Sequence, residues 1–369
     1  MGVLSLLLIG LAALCWLSGF VFLFRIPLCR RSHGQKDYPS VSIIIPARNE
    51  EHNIGRLLDS ITGQTCKPDE IIVVDDGSTD RTADICRQKG ATVLPSKPLP
   101  SGWLGKPWAC YQGAKQATGD LFVFLDADTA FAADGLRKLM DTYVEVAGSQ
   151  AVMSLAPFHR VKRFYEDLSA LFNIIMLGSM NAFTPFKSIK TTGLFGPSLV
   201  VARDHYFAVD GHAAVKERIL ENVFLAAKFR ARNLRLLCLG GRGTLHFRMY
   251  PNGVKELING WTKAFASGSG EVSPFALLLI ILWITAGFLI AIFLIYGLCT
   301  GWGMPYWLLL YAGYALQMAW MLRRIGSYKL VSALLFPLHL LFYCVVFFRS
   351  LYFQVTHKST AWKSREVTA

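Results

Sequence analysis

Two aspartates separated by one small residue, Asp126 and Asp128, close the apolar run Leu121-Phe-Val-Phe-Leu125. A run of that length, rich in β-formers and set between Gly119-Asp120 and the two acids, reads as a buried strand. Ligands of open α/β sheets collect outside the carboxyl ends of strands, which is where this pair falls. Two carboxylates so close repel each other unless positive charge lies between or beside them. A divalent cation shared with phosphate oxygens answers that need, because Mg²⁺ and Mn²⁺ take oxygen ligands and keep water or substrate phosphate in their shell. An isolated Asp-x-Asp also occurs in solvated turns and caps, so its meaning rests on its surroundings. The nearest support is a second acidic loop, Asp75-Asp76-Gly77-Ser78-Thr79-Asp80, which ends the apolar run Ile71–Val74. A nucleotide lying across both loops accounts for them together. Neither turn carries a Gly-x-x-x-x-Gly-Lys-Ser/Thr or Gly-x-Gly-x-x-Gly pattern, which argues against P-loop or dinucleotide-fold binding. An acidic loop can instead hydrogen-bond a base edge and ribose hydroxyls, leaving a cation to hold the diphosphate.

The elements that must present these loops are legible from periodicity. Val41-Ser-Ile-Ile-Ile-Pro46 reads as a buried strand stopped by proline, and Ile54, Leu57, Leu58 and Ile61 then recur at helical spacing, with Asn49 or Asn53 as the cap. Glu70–Val74 is a second strand. A helix over 80–89 ends at Gly90, where a left-handed stop is expected, and Ala91–Leu94 is a third strand. Lys106–Ala117 is a helix leading into the strand that bears Asp126. Strand and helix alternate four times in about ninety residues, the signature of a mostly parallel sheet with right-handed crossovers. Beyond Asp128 come an amphipathic helix (Leu136, Leu139, Met140, Tyr143), strands at Ala151–Leu155 and Gly193–Ala202, and a helix within Glu217–Arg232. Phe158–Phe186 mixes apolar residues with Arg160, Lys162, Arg163, Glu166 and Asp167, and is expected to lie on a bilayer surface; a buried core helix is the competing reading.

Of the 369 residues, 53% are hydrophobic and 17% charged, too apolar for an ordinary soluble domain. The net charge of +13 suits phosphorylated substrates, anionic lipid or nucleic acid. Its basic residues flank apolar spans rather than alternate with aromatics, so membrane is favoured and no nucleic-acid partner is expected. Val3–Phe24 lacks any charge and is followed by Arg25, Arg30, Arg31 and Lys36, which reads as an uncleaved anchor with the following domain in the cytosol. Phe275–Leu298 and Met304–Leu322 form an apolar hairpin and Leu330–Phe348 is a fourth candidate, so three or four crossings are expected at the cell membrane. The organisation expected is an anchor at 1–36, a catalytic domain at 37–272 (donor half 41–128, acceptor half 129–272), transmembrane helices at 273–356 and a basic tail at 357–369. The eight cysteines show neither Cys-x-x-Cys nor metal-ligand spacing, and free thiols in a reducing compartment are expected.

Ile45-Pro-Ala-Arg-Asn-Glu-Glu51, Val74-Asp-Asp-Gly-Ser-Thr-Asp80, Gly105-Lys106, Gly119-Asp120 and Asp126-Ala-Asp128, in that order, resemble family 2 glycosyltransferases. The likeness spans residues 41–262. It implies the GT-A α/β fold, with a mixed, mostly parallel sheet, here joined to one N-terminal and two or three C-terminal transmembrane helices. Pro100-Ser-Gly-Trp-Leu-Gly-Lys-Pro-Trp-Ala109 and Arg248-Met-Tyr…Gly260-Trp-Thr-Lys-Ala-Phe265 are similar, more narrowly, to the membrane-bound carotenoid-acid (4,4′-diaponeurosporenoate-type) glycosyltransferases of bacteria. The resemblance implies a UDP-sugar donor, a lipid acceptor, Mg²⁺ or Mn²⁺ as cofactor and inverting transfer. Pro46, Arg48 and Glu50 would line the nucleoside and Asp76 would contact the base. Lys106 would lie near the diphosphate, Asp126 near ribose or sugar, and Asp128 would ligate the metal.

Related enzymes carry a Glu-Asp pair whose Asp is the catalytic base, and this chain has Glu221-Asn222. Asn takes no proton, so Glu221 serves, or Asp210 serves, or the acceptor needs little help. A carboxylic acid acceptor, ionised above a pKa of about 4, fits the last case. His246 is either a further metal ligand or a satisfied core histidine. Trp261 and Lys263 stand where polymer-making relatives carry Gln-x-x-Arg-Trp, which argues against a processive synthase. Trp261 would stack on acceptor or sugar and Lys263 would neutralise the departing diphosphate. Trp103 and Trp108 either pack or wall the sugar or acceptor site, and Asp80 caps its helix. Two rivals are a nucleotidyltransferase, which would show a Gly-rich nucleoside loop absent from Pro46–Glu50, and a scaffold with a relic sugar-nucleotide pocket, prompted by Asn222.

Overall fold

The computed structural model describes residues 3–32, 36–148, 150–186, 188–268, 272–356, 360–362 and 365–367. Helix α1 (Val3–Phe22) precedes a βα alternation: β1 (Val41–Ala47), α2 (Ile54–Thr62), β2 (Glu70–Asp75), α3 (Thr82–Gln88), β3 (Thr92–Pro95), α4 (Gly105–Gln116) and β4 (Leu121–Leu125). Ile43, Ile44 and Ile45 are all fully buried, as a strand covered by helices on both faces requires. Helix α2 buries Ile54, Leu57, Leu58 and Ile61 on one stripe. The 80–89 helix stops where expected, Gly90 taking φ +77°.

After β5 (Thr129–Phe131) and α5 (Gly135–Thr142), β6 (Ala151–Ala156), β7 (Phe158–His159), α6 (Ala170–Ser179), β8 (Ser198–Ala202), α7 (Arg203–Ala208), α8 (Glu221–Ala231), β9 (Arg235–Gly240) and β10 (Leu245–Phe247) complete the α/β part. The main sheet has seven strands in the order β3-β2-β1-β4-β8-β6-β9. Strand β8 runs antiparallel to both its neighbours, while the β3-β2-β1-β4 run and the β6–β9 pair are parallel. This is the mixed, mostly parallel sheet expected. A second sheet, β5-β10-β7, stands beyond the carboxyl end of β4 and sets His246 opposite both Ala130 and Phe158.

The remaining helices are α9 (Val254–Gly268), α10 (Pro274–Thr300), α11 (Met304–Ile325), α12 (Leu330–Leu334) and α13 (Phe336–Val355). By length and composition α1, α10 and α13 can cross a membrane. Helix α11 has the length at 22 residues, but Gln317 and the closing Arg323-Arg324 pair leave it less apolar. The fourth expected span is broken at Leu335, and Pro337 starts α13 in the first turn, where its missing N–H costs no hydrogen bond. Lys358 and Lys363 of the basic tail lie outside the described residues.

Both apolar ends are stitched to sheet edges. Leu28, after α1, bridges to Gly240 of β9, whose N–H donates to Pro27 O at 2.8 Å. The loop between α11 and α12 bridges Gly326 to His159 of β7, where Ser327 N–H donates to His159 O at 2.8 Å. Of the surface element expected over 158–186, the part from Glu166 to Phe183 is instead mostly internal, while Arg160, Lys162, Arg163 and Phe164 are exposed. Leu171, Phe172, Ile174 and Ile175 of α6 are all 5% exposed or less, and the helix packs against α10, α11 and α13 and bonds to β7 through Asn173. Its Asn173 Nδ2 meets Tyr328 Oη at 2.6 Å and His159 Nδ1 at 2.9 Å, a polar contact made inside the protein rather than at a bilayer surface.

Candidate active site

Pro46, at the carboxyl end of β1, shares one small cavity with Lys106, Cys110, Asp126, His212 and Glu221. Lys106 stands in the first turn of α4, and its Nζ lies 2.7 Å from Asp126 Oδ1 and 2.7 Å from Glu221 Oε1. It also donates to Gly196 O at 3.2 Å. One ammonium thus holds together the tip of β4 and the start of α8, from opposite halves of the chain. Burial works against the Lys106 charge, yet Asp126 and Glu221 outweigh it and hold the amine above its ordinary value. Glu221, only 3% exposed, is raised by burial and pulled back in part by Lys106.

Asn222 is spent structurally. Its Nδ2 donates to Phe195 O at 2.9 Å and to Gly196 O at 3.1 Å, fixing the loop that borders the cavity. Asp210 does not join the cluster. It is exposed, in a left-handed turn at φ +59°, and the neighbouring His212 lines the cavity instead. His212 Nδ1 meets Tyr206 Oη at 2.9 Å, and burial with the Lys106 charge pushes its pKa down to about 3, so the ring is neutral. Gly211 makes this possible, since a Cβ there would lie 2.2 Å from the Tyr206 ring. No periodicity marks His212 as a site residue; it arrives through the turn.

The residues expected at the nucleoside cluster at the ends of β1 and β2. Arg48 donates to Asp76 O and stands 3.9 Å from its carboxylate. Asn49 Oδ1 accepts Thr79 N–H at 2.9 Å and Asn49 N–H donates to Ser78 Oγ at 3.0 Å, lacing the two loops into one rim. Glu50 lies behind this rim: its carboxylate accepts from Asn53 Nδ2 at 3.0 Å and its N–H donates to Thr82 Oγ1 at 2.7 Å. Asp80 ties the start of α3, accepting Thr82 N–H at 3.0 Å and Glu51 N–H at 3.1 Å.

Asp128 stands two residues after Asp126, just before β5. Its carbonyl accepts from Arg56 Nη2 at 2.9 Å, and the charges of Arg56 and Arg160 reach His246 on β10. Burial first, then these two arginines, push His246 down to about 4, leaving a neutral imidazole. Among the described residues no three His, Cys, Asp or Glu side chains converge as a metal site. The donor set fits a hard cation that draws its other ligands from diphosphate and water: the carboxylate of Asp128, with a neutral imidazole on the adjoining strand.

Trp261 is not a stacking wall. It is 1% exposed, stacks on Phe172 at 4.8 Å and donates from Nε1 to Ser169 Oγ at 3.0 Å. Lys263 on the same helix is half-buried, and desolvation lowers it to about 8. Trp103, Trp108 and Tyr111 pack on one another at 4.9–6.3 Å, with Trp108 Nε1 donating to Lys97 O at 3.0 Å.

Residues 42–193 match the model of glycosyl transferase family 2. The chain belongs to that family, and the fold is of the GT-A type. It is 34% identical over 340 residues, 89% of this chain and 88% of the relative, to the 4,4′-diaponeurosporenoate glycosyltransferase of Staphylococcus aureus. In fold it is similar to a mannosyltransferase of Pyrobaculum calidifontis solved with GDP-mannose and Mn²⁺ (TM-score 0.50, 18% identity, 95% of this chain and 99% of that one).

Proposed function

We propose that the protein transfers a sugar, glucose in the first instance, from a UDP-sugar to a carotenoid-type carboxylic acid at the cytosolic face of the cell membrane, with inversion and with Mg²⁺ or Mn²⁺. The observation that carries this reading is the Lys106 bridge between Asp126 and Glu221. It lies at the carboxyl edge of the sheet, in the cavity that Pro46 also lines. The S. aureus relative, whose name specifies a polyene acid acceptor, supports the acceptor class, and the Pyrobaculum neighbour, solved with Mn²⁺ and a sugar nucleotide, is consistent with the cofactor. Apolar helices α1, α10 and α13 would hold a lipid acceptor close and oriented.

In this reading Arg48 and Asp76 hold the nucleoside, and Pro46 walls it. Asp128, with His246, would hold the cation, which when bound offsets negative charge on the departing diphosphate. Lys106 adds fixed positive charge on the same side. An acceptor oxygen attacks the anomeric carbon opposite the nucleotide, and the C–O electron pair leaves with UDP. Glu221 is tied to Lys106 and Asn222 to two carbonyls, an arrangement suited to an acceptor that arrives already ionised.

The test is purified protein in detergent with Mn²⁺, all-trans-retinoic acid as acceptor, and UDP-glucose or GDP-mannose as donor. UDP release together with a glucosyl ester by mass spectrometry is expected. Pyrophosphate release, or no transfer from either donor, overturns the reading. Restoring the aspartate common in the family should not help this chain. Asn222→Asp would put a carboxylate against two carbonyl oxygens beside Glu221, so a loss of about 1–3 kcal/mol in denaturant unfolding is expected. Turnover should not rise; a faster variant would show that a base is limiting.

A further inference from the structure

The small sheet β5-β10-β7 gathers arginines near Asp128 and His246. Arg56 reaches in from α2 to the Asp128 carbonyl, and Arg248, one residue past β10, is held by the fully buried carboxylate of Glu166. Arg160, one residue past β7, is the exposed member. Its backbone N–H donates to Phe247 O at 2.8 Å, pinning it beside the strand that carries His246, and its guanidinium carbon lies 6.0 Å from the Phe158 ring centre.

The flanks of Arg160 place it at a junction. The residue before it, His159, bridges to Gly326, and the residue after it, Val161, donates its N–H to Ser327 Oγ at 2.8 Å. Gly326 and Ser327 belong to the loop leading from α11 toward α13, the last bilayer-length helix. Arg160 therefore stands between the Asp128–His246 side of the site and the helices from which a lipid must arrive. On the Lys106 side the carboxylates that could relieve an acceptor of a proton, Asp126 and Glu221, are both engaged with Lys106, and Asn222 is no base. A site with that chemistry needs a cation to receive an anionic acceptor more than it needs a base.

We propose that Arg160 is the acceptor-specificity residue, binding the carboxylate of the lipid acid and presenting it to the anomeric carbon. This rests on the function proposed above and adds the group that recognises the acceptor. In the step, one carboxylate oxygen forms the ester bond to the anomeric carbon while the bond to the β-phosphate oxygen breaks. Its electron pair leaves with UDP, and no proton has to leave the acceptor. Arg160 holds the second oxygen by a charge-assisted hydrogen bond until the ester, which carries no charge, is released.

The full-length protein in detergent is assayed with UDP-glucose and Mn²⁺ as wild type, Arg160→Gln and Arg160→Lys. The acceptors are all-trans-retinoic acid and all-trans-retinol, the same polyene with and without a carboxylate. UDP binding in the presence of Mn²⁺ is followed by calorimetry. Arg160→Gln is expected to raise KM for the acid by about tenfold or more, the scale of one charge-assisted contact. Arg160→Lys should recover most of that loss, and the UDP affinity of all three proteins should agree within about twofold. A wild type that prefers the acid and an Arg160→Gln variant that has lost the preference support the assignment. An equal loss on acid and alcohol, or no change on either, overturns it. Weakened UDP binding in Arg160→Gln overturns it in favour of a donor-diphosphate contact. A wild type that binds UDP but esterifies no acid removes the proposed acceptor class, and this assignment with it.

Discussion

Asp128→Asn is expected to lower sugar transfer by about 100- to 1,000-fold, the range seen when one group that stabilises developing negative charge is removed. The substitution keeps shape and volume but replaces a charged oxygen donor with a neutral amide. The Arg56 bond goes to the backbone carbonyl of Asp128, so it survives and the loop keeps its anchor. Arg56 loses the nearby carboxylate charge that favours its ionised form, so the unfolding midpoint should fall modestly while the Mn²⁺ concentration for half-maximal activity rises. Activity within tenfold of wild type would remove Asp128 from the reaction.

Lys106→Met is expected to damage stability and turnover together. Glu221 would lose the ammonium 2.7 Å away while remaining buried next to Asp126. Breaking a buried ion pair by removing one partner costs about 3–5 kcal/mol; Lys106 keeps about a third of its side chain exposed, so solvent screening brings the expected loss nearer 2–3 kcal/mol. The pH dependence gives the test its sign. In the folded protein burial raises Glu221 above 4.5, and Lys106 opposes that rise. Without Lys106 the folded carboxyl binds its proton more tightly still, whereas the unfolded chain keeps the ordinary value. Stability then falls as pH rises above about 4.5, and acidification toward that value restores it. Denaturant unfolding at pH 5 and pH 8 measures the difference. A variant whose stability is flat, or grows with pH, would show that Glu221 is not held as the structure places it.

The strands, their order of appearance and the two acidic loops were readable because each depends on local pattern. Apolar runs cut by Pro46, Asp75 and Asp126 leave few conformations other than buried strands with polar tips. Phe158–Phe186 was not readable in the same way. Apolar residues mixed with a few charges suit a bilayer surface as well as an interior, and only the packing of α6 against α10, α11 and α13 separates the two. Trp261 has the same ambiguity: its chemistry suits a sugar wall, but its neighbours Phe172 and Ser169 enclose it. Asp210 carries the right group on the wrong side of a left-handed turn, and His212 takes the place beside the cavity.

By itself, then, the order of residues determined the family, the α/β class and the identity of the acids at the sheet edge, since these follow from spacing along one strand and loop. Contacts between residues far apart in the chain decided the rest: that Lys106 joins Asp126 to Glu221 across more than ninety positions, and that Arg160 lies between the strand of His246 and the loop before α12. Such meetings depend on how sheets and helices pack against each other, and no local periodicity encodes them.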